Sequence, residues 1–426
     1  MENNGKDKGK GKGKLYAIAD LHLGYKFNAD ALAALRDTHR DDGLILAGDL
    51  GERVDEHLRP AFAWATSRFR RVWWCPGNHE LYSLPESPSS SSRVPGGQQQ
   101  EKPPVLRGQE KYDACVAAAR EYGVLTPEDP FVVWDGEGLG VDAGEDGKEG
   151  EEEKGPIIVC PLFTLYDYSF APDDVPKGKE LDWAAEQDIC ATDEALLHPD
   201  PYPTRQAWCE ALVARFERKL EDAIAAATAG GEGEETEGGG DKTTIAATTA
   251  AAAEVTESTE STESTTATTT TSTPPSPTNA ATSSSSSSPS KPNNPNPNSK
   301  PKPKPKPRLI LINHWPLLSQ LVYLPAIPRF RIWCGTRRTA GWAARFGAAV
   351  AVSGHLHIRR TDWVDGVRYE ECSLGYPRQW ERARNAGRDI NAFLREILPG
   401  PRERPGGAGD GEGGSAPTKW WIYGDA

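Results

Sequence analysis

Short apolar runs that each lead into a polar motif constrain the fold of this 426-residue chain more than any other feature. The first three runs lead into Asp20, Asp49 and Asn78, which are separated by 29 positions in both intervals. About 30 residues is the length of one strand–helix–strand unit, and residues 30–37 and 58–69 have the pattern of the intervening helices. Because regular crossovers set the carboxyl ends of parallel strands side by side, we expect the three side chains to meet at one rim.

Two later apolar runs, residues 309–312 and 349–352, also end in polar motifs. The motifs together hold five of the eight histidines of the chain, namely His22, His79, His314, His355 and His357. Oxygen ligands from Asp and Asn, mixed with imidazole, suit Mn, Fe or Zn better than a thiolate site does. The pattern therefore predicts a metal site with enough ligands for two ions.

The other patterned segments contain both helices and strands. Strand patterns cover residues 131–134 and 157–165, and helical patterns cover residues 111–122, 208–227 and 339–346. Residues 368–374 alternate between apolar and polar side chains, as in an antiparallel strand near a sheet edge. Fully apolar strands beside an alternating one indicate mixed sheets. We predict an α/β fold, with two packed mixed β-sheets flanked by helices.

Composition divides the chain into one domain and several unpatterned segments. A tract of Thr, Ser, Glu, Pro and Lys cannot bury enough apolar surface to offset its ordering entropy, so we expect it to be disordered. Motifs lie on both sides of this tract, and the cost of closing a loop grows slowly with its length. The predicted organisation is a basic disordered tail at 1–14, one folded domain at 15–400 and a flexible tail at 401–426. The domain is interrupted by a mobile loop at 85–104, an acidic insert at 135–155 and the disordered insertion at 230–307.

Charge and hydropathy exclude some classes of protein. The net charge of −13 argues against a protein that coats nucleic acid. The sequence has no apolar stretch near the roughly 20 residues that cross a membrane, and we expect a cytoplasmic protein with reduced cysteines. The Pro/Lys-rich part of the insertion is either a plain disordered segment or a docking site for a proline-reading partner.

The motifs, taken in order, resemble the signature of the calcineurin-like metallophosphoesterases. They are Asp20-Leu21-His22, Gly48-Asp49, Gly77-Asn78-His79-Glu80, Asn313-His314 and Gly354-His355-Leu356-His357. The resemblance implies two divalent metal ions, Mn, Fe or Zn. It implies a first ion held by Asp20, His22, Asp49 and His357, and a second held by Asp49, Asn78, His314 and His355. The Asp49 carboxylate would bridge the two ions.

The resemblance also implies a catalytic role for His79, which would lie over the phosphate instead of binding metal. There it would protonate the departing alkoxide or donate a hydrogen bond to the transition state. Asn78, His79, Tyr166 and Arg359 are the candidate substrate-binding residues. Asp167 and Glu80 are candidates for fixing imidazole tautomers, and Glu80 is equally well explained as a helix cap.

Some residues receive a plain structural interpretation. His39, His57 and His198 lie outside the motifs, and we expect them at the surface. The glycines of the motifs are expected to allow tight turns after strands, and only secondarily to let other groups approach.

A metal-dependent hydrolase of phosphate esters is the function that the resemblance implies. Two metal ions would activate a hydroxide for in-line attack on phosphorus. A phosphomonoesterase acting on a small molecule or a phosphoprotein is favoured, because the acidic balance argues against long nucleic acids. The alternatives are a phosphodiesterase or nuclease with the same dinuclear site, and a non-catalytic interaction module on this fold.

Overall fold

The computed structural model describes residues 13–85, 105–139, 155–229, 306–400 and 419–420. The predicted tails and insertions fall largely outside these ranges. The described residues on both sides of the long insertion belong to one compact unit. No helix within the described ranges is long and apolar enough to cross a lipid bilayer.

The first sheet has four strands in the order β10-β1-β2-β3. Its strands are β1 (Leu15–Ile18), β2 (Gly43–Leu46), β3 (Arg71–Trp74) and β10 (Arg395–Leu398). The parallel pairs β1/β2 and β2/β3 are in register, so that Ile18, Leu46 and Trp74 are aligned across the sheet. The crossovers contain α1 (Lys26–Ala33), then a π-helical turn (Val54–Leu58) that continues into α2 (Arg59–Arg68). The strand ends that precede the first three motifs therefore lie side by side, as the sequence predicted.

The second sheet has seven strands in the order β11-β8-β9-β7-β6-β5-β4. They are β4 (Val132–Val133), β5 (Ile157–Pro161), β6 (Arg308–Ile312), β7 (Ala348–Ser353), β8 (Arg360–Val364), β9 (Val367–Glu371) and β11 (Lys419–Trp420). Strands β5, β6, β7 and β9 are parallel neighbours, and β4, β8 and β11 pair antiparallel. Since β5 precedes the long insertion and β6 follows it, the sheet joins the two parts of the chain.

Successive side chains of each strand point to opposite faces, and the core is divided accordingly. Ile45 and Trp73 meet Val159 and Ile310 of the other sheet in one buried cluster between the sheets. Trp74 belongs to a second cluster, which contains helical side chains. Complete burial of each aliphatic side chain in these clusters stabilises the folded state by roughly 1.5–3 kcal/mol. The two mixed sheets therefore pack face to face with helices outside them, and the predicted fold class is confirmed.

The remaining helices border this core. They are α3 (Gly108–Glu121), α4 (Glu180–Ala185), α5 (Asp193–Leu196), α6 (Arg205–Ala229), α7 (Trp342–Arg345) and α8 (Pro377–Asn385). Short 3-10 turns occupy His79–Leu81, Ser319–Leu321, Pro328–Trp333, Arg337–Thr339 and Ile390–Phe393.

Several predicted elements differ from the structure. The strand expected at 157–165 ends at Pro161, and the helix expected at 339–346 is confined to Trp342–Arg345. The helix expected at 30–37 is α1, which spans Lys26–Ala33 and buries Asn28 and Leu32. The antiparallel strand expected near a sheet edge at 368–374 is β9, which does pair antiparallel with β8 but lies between β8 and β7, away from the edge. All five of its residues are buried, since charged side chains on this strand pair inside the fold, as Arg368 does with Glu370.

Candidate active site

Backbone geometry turns the motif side chains toward a common point. Five of the ten non-glycine residues with positive φ in the described ranges are Asp20, His22, Asp49, His355 and His357, with φ between 43° and 73°. Such a conformation costs on the order of 1–3 kcal/mol per residue and persists only where the surroundings enforce it. The strain is concentrated where the strand ends present these side chains.

A first cluster of ligand atoms forms where β1 and β7 end. The Nε2 atoms of His22 and His357 lie 3.2 Å apart, and His357 Nε2 lies 2.8 Å from Asp20 Oδ1. Burial opposes the charge on Asp20, but His357 holds the pKa of this carboxyl well below its usual range. Three side chains of the kinds that bind divalent ions therefore converge at one point.

A second cluster shares Asp20 and adds residues that follow β2 and β6. One ligand atom from each of Asp20, Asp49 and His314 lies within 4.8 Å of the others. His314 Nδ1 faces the Ala47 carbonyl at 2.8 Å and so donates to it. Nε2 is then the ring atom that faces the carboxylate, at 3.5 Å from Asp49 Oδ2.

Asn78 and His355 complete the second cluster. His355 Nδ1 lies 3.1 Å from Asn78 Oδ1, and both side chains line the same cavity as Asp49. The seven predicted ligand residues are thus brought together around two adjacent points.

The electrostatics of these clusters fit divalent cations. Burial lowers the pKa of His22 and of His355 to about 3, so both imidazoles are neutral and offer lone pairs. Burial also opposes protonation of His314, yet the charge of Asp49 raises its pKa to about 10. The two buried carboxylates, with the neutral His22 and His355 beside them, attract positive charge to their centre, which divalent ions would provide.

Two glycines leave room for the ligands. A Cβ atom on Gly77 would lie 2.1 Å from Asp49 Oδ1, and one on Gly354 would lie 2.3 Å from Asp20 Oδ2. The positive φ of 89° at Gly48 does fit the tight turn expected from the sequence. Close approach, which the sequence analysis ranked second, is the reason for glycine at positions 77 and 354.

Glu80 joins the loops after β2 and β3. Its fully buried carboxylate accepts hydrogen bonds from the backbone N–H groups of Asp49, Leu50 and Gly77 at 2.7–2.9 Å. Burial, followed by the charge of Asp49, raises the pKa of Glu80 to about 7. Glu80 therefore positions the Asp49 loop through the backbone and contacts no imidazole ring in the described hydrogen-bond network.

Three positioning contacts come from segments distant in sequence. Asp193 Oδ1 accepts hydrogen bonds from Asn78 Nδ2 at 2.9 Å and from the Tyr82 hydroxyl at 2.7 Å. Gln379 Oε1 lies 2.7 Å from His357 Nδ1. Ser373 donates its hydroxyl to Asp20 Oδ2 at 2.7 Å. Sequence reasoning missed Asp193, Gln379 and Ser373, because none stands in a motif.

His79 lies beside both clusters and borders the cavity. Its Nδ1 is 2.9 Å from Glu52 Oε1, and its Nε2 is 3.4 Å from the Tyr376 hydroxyl. Burial lowers the pKa of His79, but Asp49 and then Glu52 outweigh it and raise the value to about 9. Nε2 is therefore the atom available to a substrate, and Glu52 fixes the ring.

A cavity of about 480 Å³ opens over these residues. Its polar lining includes Asp49, Asn78, His79, His355 and His357. Its other walls are lined by Tyr82, Cys190, Ala191, Thr192, Asp193, Tyr323, Leu324, Pro325, Ala326, Ile327, Phe330, Leu356, Ile358, Tyr376, Arg378 and Gln379. This volume suits an organic ligand of moderate size.

Two predicted substrate-binding residues are not brought to the cavity. Tyr166 is fully buried and packs its ring against Tyr168 and Trp315. Arg359 is buried, and its guanidinium donates to the carbonyls of Leu374 and Gln379. Tyr166 serves the core and Arg359 holds the chain before α8, whereas the predicted Asn78 and His79 do line the cavity.

Two further expectations are corrected by the contacts. The Asp167 carboxylate accepts from Thr336 Oγ1 at 2.9 Å and so holds a loop instead of an imidazole. His39 is not a plain surface residue, because its side chain is only 14% exposed. The same holds for His57, whose side chain is only 13% exposed. Its Nδ1 accepts from the backbone N–H of Glu52 at 3.1 Å, which supports the loop that orients His79.

Comparison with known proteins identifies the family of this chain. A family model described as calcineurin-like phosphoesterase matches residues 13–137. The chain is 33% identical over 393 residues to the acyl-carrier-protein phosphodiesterase PptH of Mycobacterium tuberculosis, covering 92% of this chain and 85% of that protein. The chain belongs to the calcineurin-like metallophosphoesterase family.

A solved structure gives the same result for this metallophosphoesterase. The crystal structure of phosphopantetheinyl hydrolase PptH from Mycobacterium tuberculosis matches with a TM-score of 0.60 and 32% identity, covering 93% of this chain and 99% of that chain. The predicted family, fold class and phosphoric ester hydrolase activity are confirmed.

Proposed function

We propose that this metallophosphoesterase is a phosphodiesterase that removes a phosphopantetheinyl group from the serine of a carrier protein. The sequence favoured a monoesterase and kept a diesterase as the alternative. The names of the relative, acyl-carrier-protein phosphodiesterase and phosphopantetheinyl hydrolase, support the alternative. The observation that carries the proposal is the apolar wall of the cavity beside His79.

The apolar wall suits an extended organic arm. It is formed by Leu324, Phe330, Leu356 and Ile358, and three of these four side chains are only partly buried, with Leu356 5% exposed. The wall faces the same cavity as Asp49 and Asn78. A pantetheine arm, uncharged and partly aliphatic, would cover such a wall while its phosphate lies over the metal residues. A monoester with a small organic group would leave most of the wall in water.

The charges around the cavity also suit a diester. Arg378 is the one arginine among its lining residues, which include no lysine. A phosphodiester carries one negative charge, whereas a monoester near neutral pH carries nearly two. Bidentate hydrogen bonds from arginine are a common means of holding a highly charged phosphate. Arg359, a candidate for that task in the sequence, is engaged by backbone carbonyls instead.

The metal residues would act by holding two divalent ions, Mn, Fe or Zn. Asp20, His22, Asp49 and His357 would hold the first, and Asp49, Asn78, His314 and His355 the second. Bound there, the ions would neutralise phosphate charge and make hydroxide available near neutral pH.

The reaction needs a proton donor on the serine side. An oxygen from water adds to phosphorus and the bond between phosphorus and the serine oxygen breaks, leaving free phosphopantetheine and an unmodified serine. The departing oxygen takes a proton, which His79 Nε2 would supply. Glu52 keeps the ring oriented through Nδ1, and Asp49 Oδ1 accepts the His79 backbone N–H at 2.9 Å.

The proposal is tested with the full chain loaded with Mn²⁺. We expect the mass of a phosphopantetheinylated carrier protein to fall by one phosphopantetheinyl group, and bis-p-nitrophenyl phosphate to be hydrolysed faster than p-nitrophenyl phosphate. Faster hydrolysis of the monoester, together with an unchanged carrier mass, would show that the enzyme is a monoesterase.

A further inference from the structure

We propose that apolar and cationic residues around the mouth of the cavity form a docking surface for the folded carrier protein, next to its modified serine. This mouth surface consists of Tyr25, Tyr323, Ile327, Arg378 and Arg382. The inference rests on the proposed function and goes further, because it assigns residues to the protein part of the substrate.

The apolar part is concentrated at the cavity. Six large hydrophobic side chains are prominently exposed in the described ranges, and three belong to the mouth surface: Tyr25 at 49%, Tyr323 at 50% and Ile327 at 42%. Tyr323 and Ile327 line the cavity. The ring of Tyr25 packs edge-on against that of Tyr376, a lining residue, at 5.7 Å between centroids. Exposed apolar side chains grouped around a cleft mark an interaction surface.

The cationic part lies on the first turns of α8. Arg378 is exposed and lines the cavity, and Arg382 is exposed one turn further along the same face. No acidic side chain of the described ranges lies within ion-pair distance of either. Arg337 and Arg345, in contrast, are paired with Asp173 and Glu217. Two unpaired arginines on a chain of net charge −13 favour an acidic partner face.

The position of the surface favours a protein over a small molecule. Tyr25 and Arg382 lie outside the lining of the cavity, so a small ester held over the metal residues gains nothing from them. A carrier protein brings a broad face to the mouth while its arm enters. The partner that fits is therefore a folded carrier domain with acidic residues beside its modified serine.

The test uses the double variant Tyr25→Ala/Arg382→Glu of the full chain, because neither side chain lines the cavity. The matched control is Tyr122→Ala/Arg218→Glu, in which an exposed tyrosine and an exposed arginine lie outside both the cavity lining and the mouth surface. Rates are measured on the phosphopantetheinylated carrier protein and on bis-p-nitrophenyl phosphate.

We expect kcat/KM on the carrier protein to fall about ten-fold or more in the test variant, while the rate on the small diester stays that of the unmodified enzyme. The control should match the unmodified enzyme on both. Added salt should slow the reaction with the carrier protein and leave the small diester unaffected.

An unchanged rate of the test variant on the carrier protein, or equal losses on both substrates, would overturn the docking surface while the diesterase proposal stands. Failure of the unmodified enzyme to act on the carrier protein would overturn the proposed function, and the docking surface with it.

Discussion

The seven proposed metal ligands form one face of the cavity, here called the metal face. This face and the mouth of the cavity are built in opposite ways. Each proposed ligand follows a strand end within a few residues, and Asp20, Asp49 and His314 are at most 2% exposed. The mouth takes Tyr323 and Ile327 from the irregular chain between two 3-10 turns, and both side chains are at least 42% exposed. Under the proposed function, the reaction would depend on the strand ends and the choice of substrate on the loops.

The largest expected effect in this comparison is that of His79→Ala. We expect kcat on the carrier protein to fall about 10²–10⁴-fold, because the serine oxygen is a poor leaving group that needs a proton. Bis-p-nitrophenyl phosphate should lose much less activity, since its leaving group is weakly basic. Metal content, measured by elemental analysis, should stay unchanged. Equal losses on both substrates would remove His79 from the role of proton donor.

A smaller effect is expected at Asp193, which lies on the cavity wall but contacts the metal face through Asn78. Asp193→Ala should lower metal affinity about ten- to hundred-fold, because the Asn78 amide loses the acceptor that orients it. Metal titration of the variant measures this change, and Asp182→Ala, whose side chain is 70% exposed, is the control. If Asp193→Ala binds metal as tightly as the control, Asp193 does not support the metal ligands.

The sequence predicted most of the metal face, because its signals are local. The regular spacing of Asp20, Asp49 and Asn78 reflects crossovers whose strands are in register. The contacts that orient these ligands are not local: Gln379 reaches His357 across 22 positions, and Asp193 reaches Asn78 across 115. A carboxylate or amide in a loop has no pattern that reveals such a contact.

Positions just after strands also misled the sequence analysis. Tyr166 follows β5 closely, as the ligands follow their strands, yet its ring is packed in the core against Trp315. Arg359 follows His357 and is turned by a positive φ of 45° toward backbone carbonyls. The direction of a side chain after a strand end depends on the backbone of its loop, and no spacing rule fixes that.

Cleavage of a phosphodiester at the strand-end site, by addition of water to phosphorus and release of the serine oxygen, is the main element of the proposed function. It is tested most directly by incubating the Mn²⁺-loaded enzyme with phosphopantetheinylated carrier protein in water labelled with heavy oxygen, with Asp49→Asn as the inactive reference. Mass spectrometry should find one heavy oxygen atom in the phosphate of the released phosphopantetheine and none in the carrier protein. Label on the serine, or release at an equal rate by Asp49→Asn, would contradict the account.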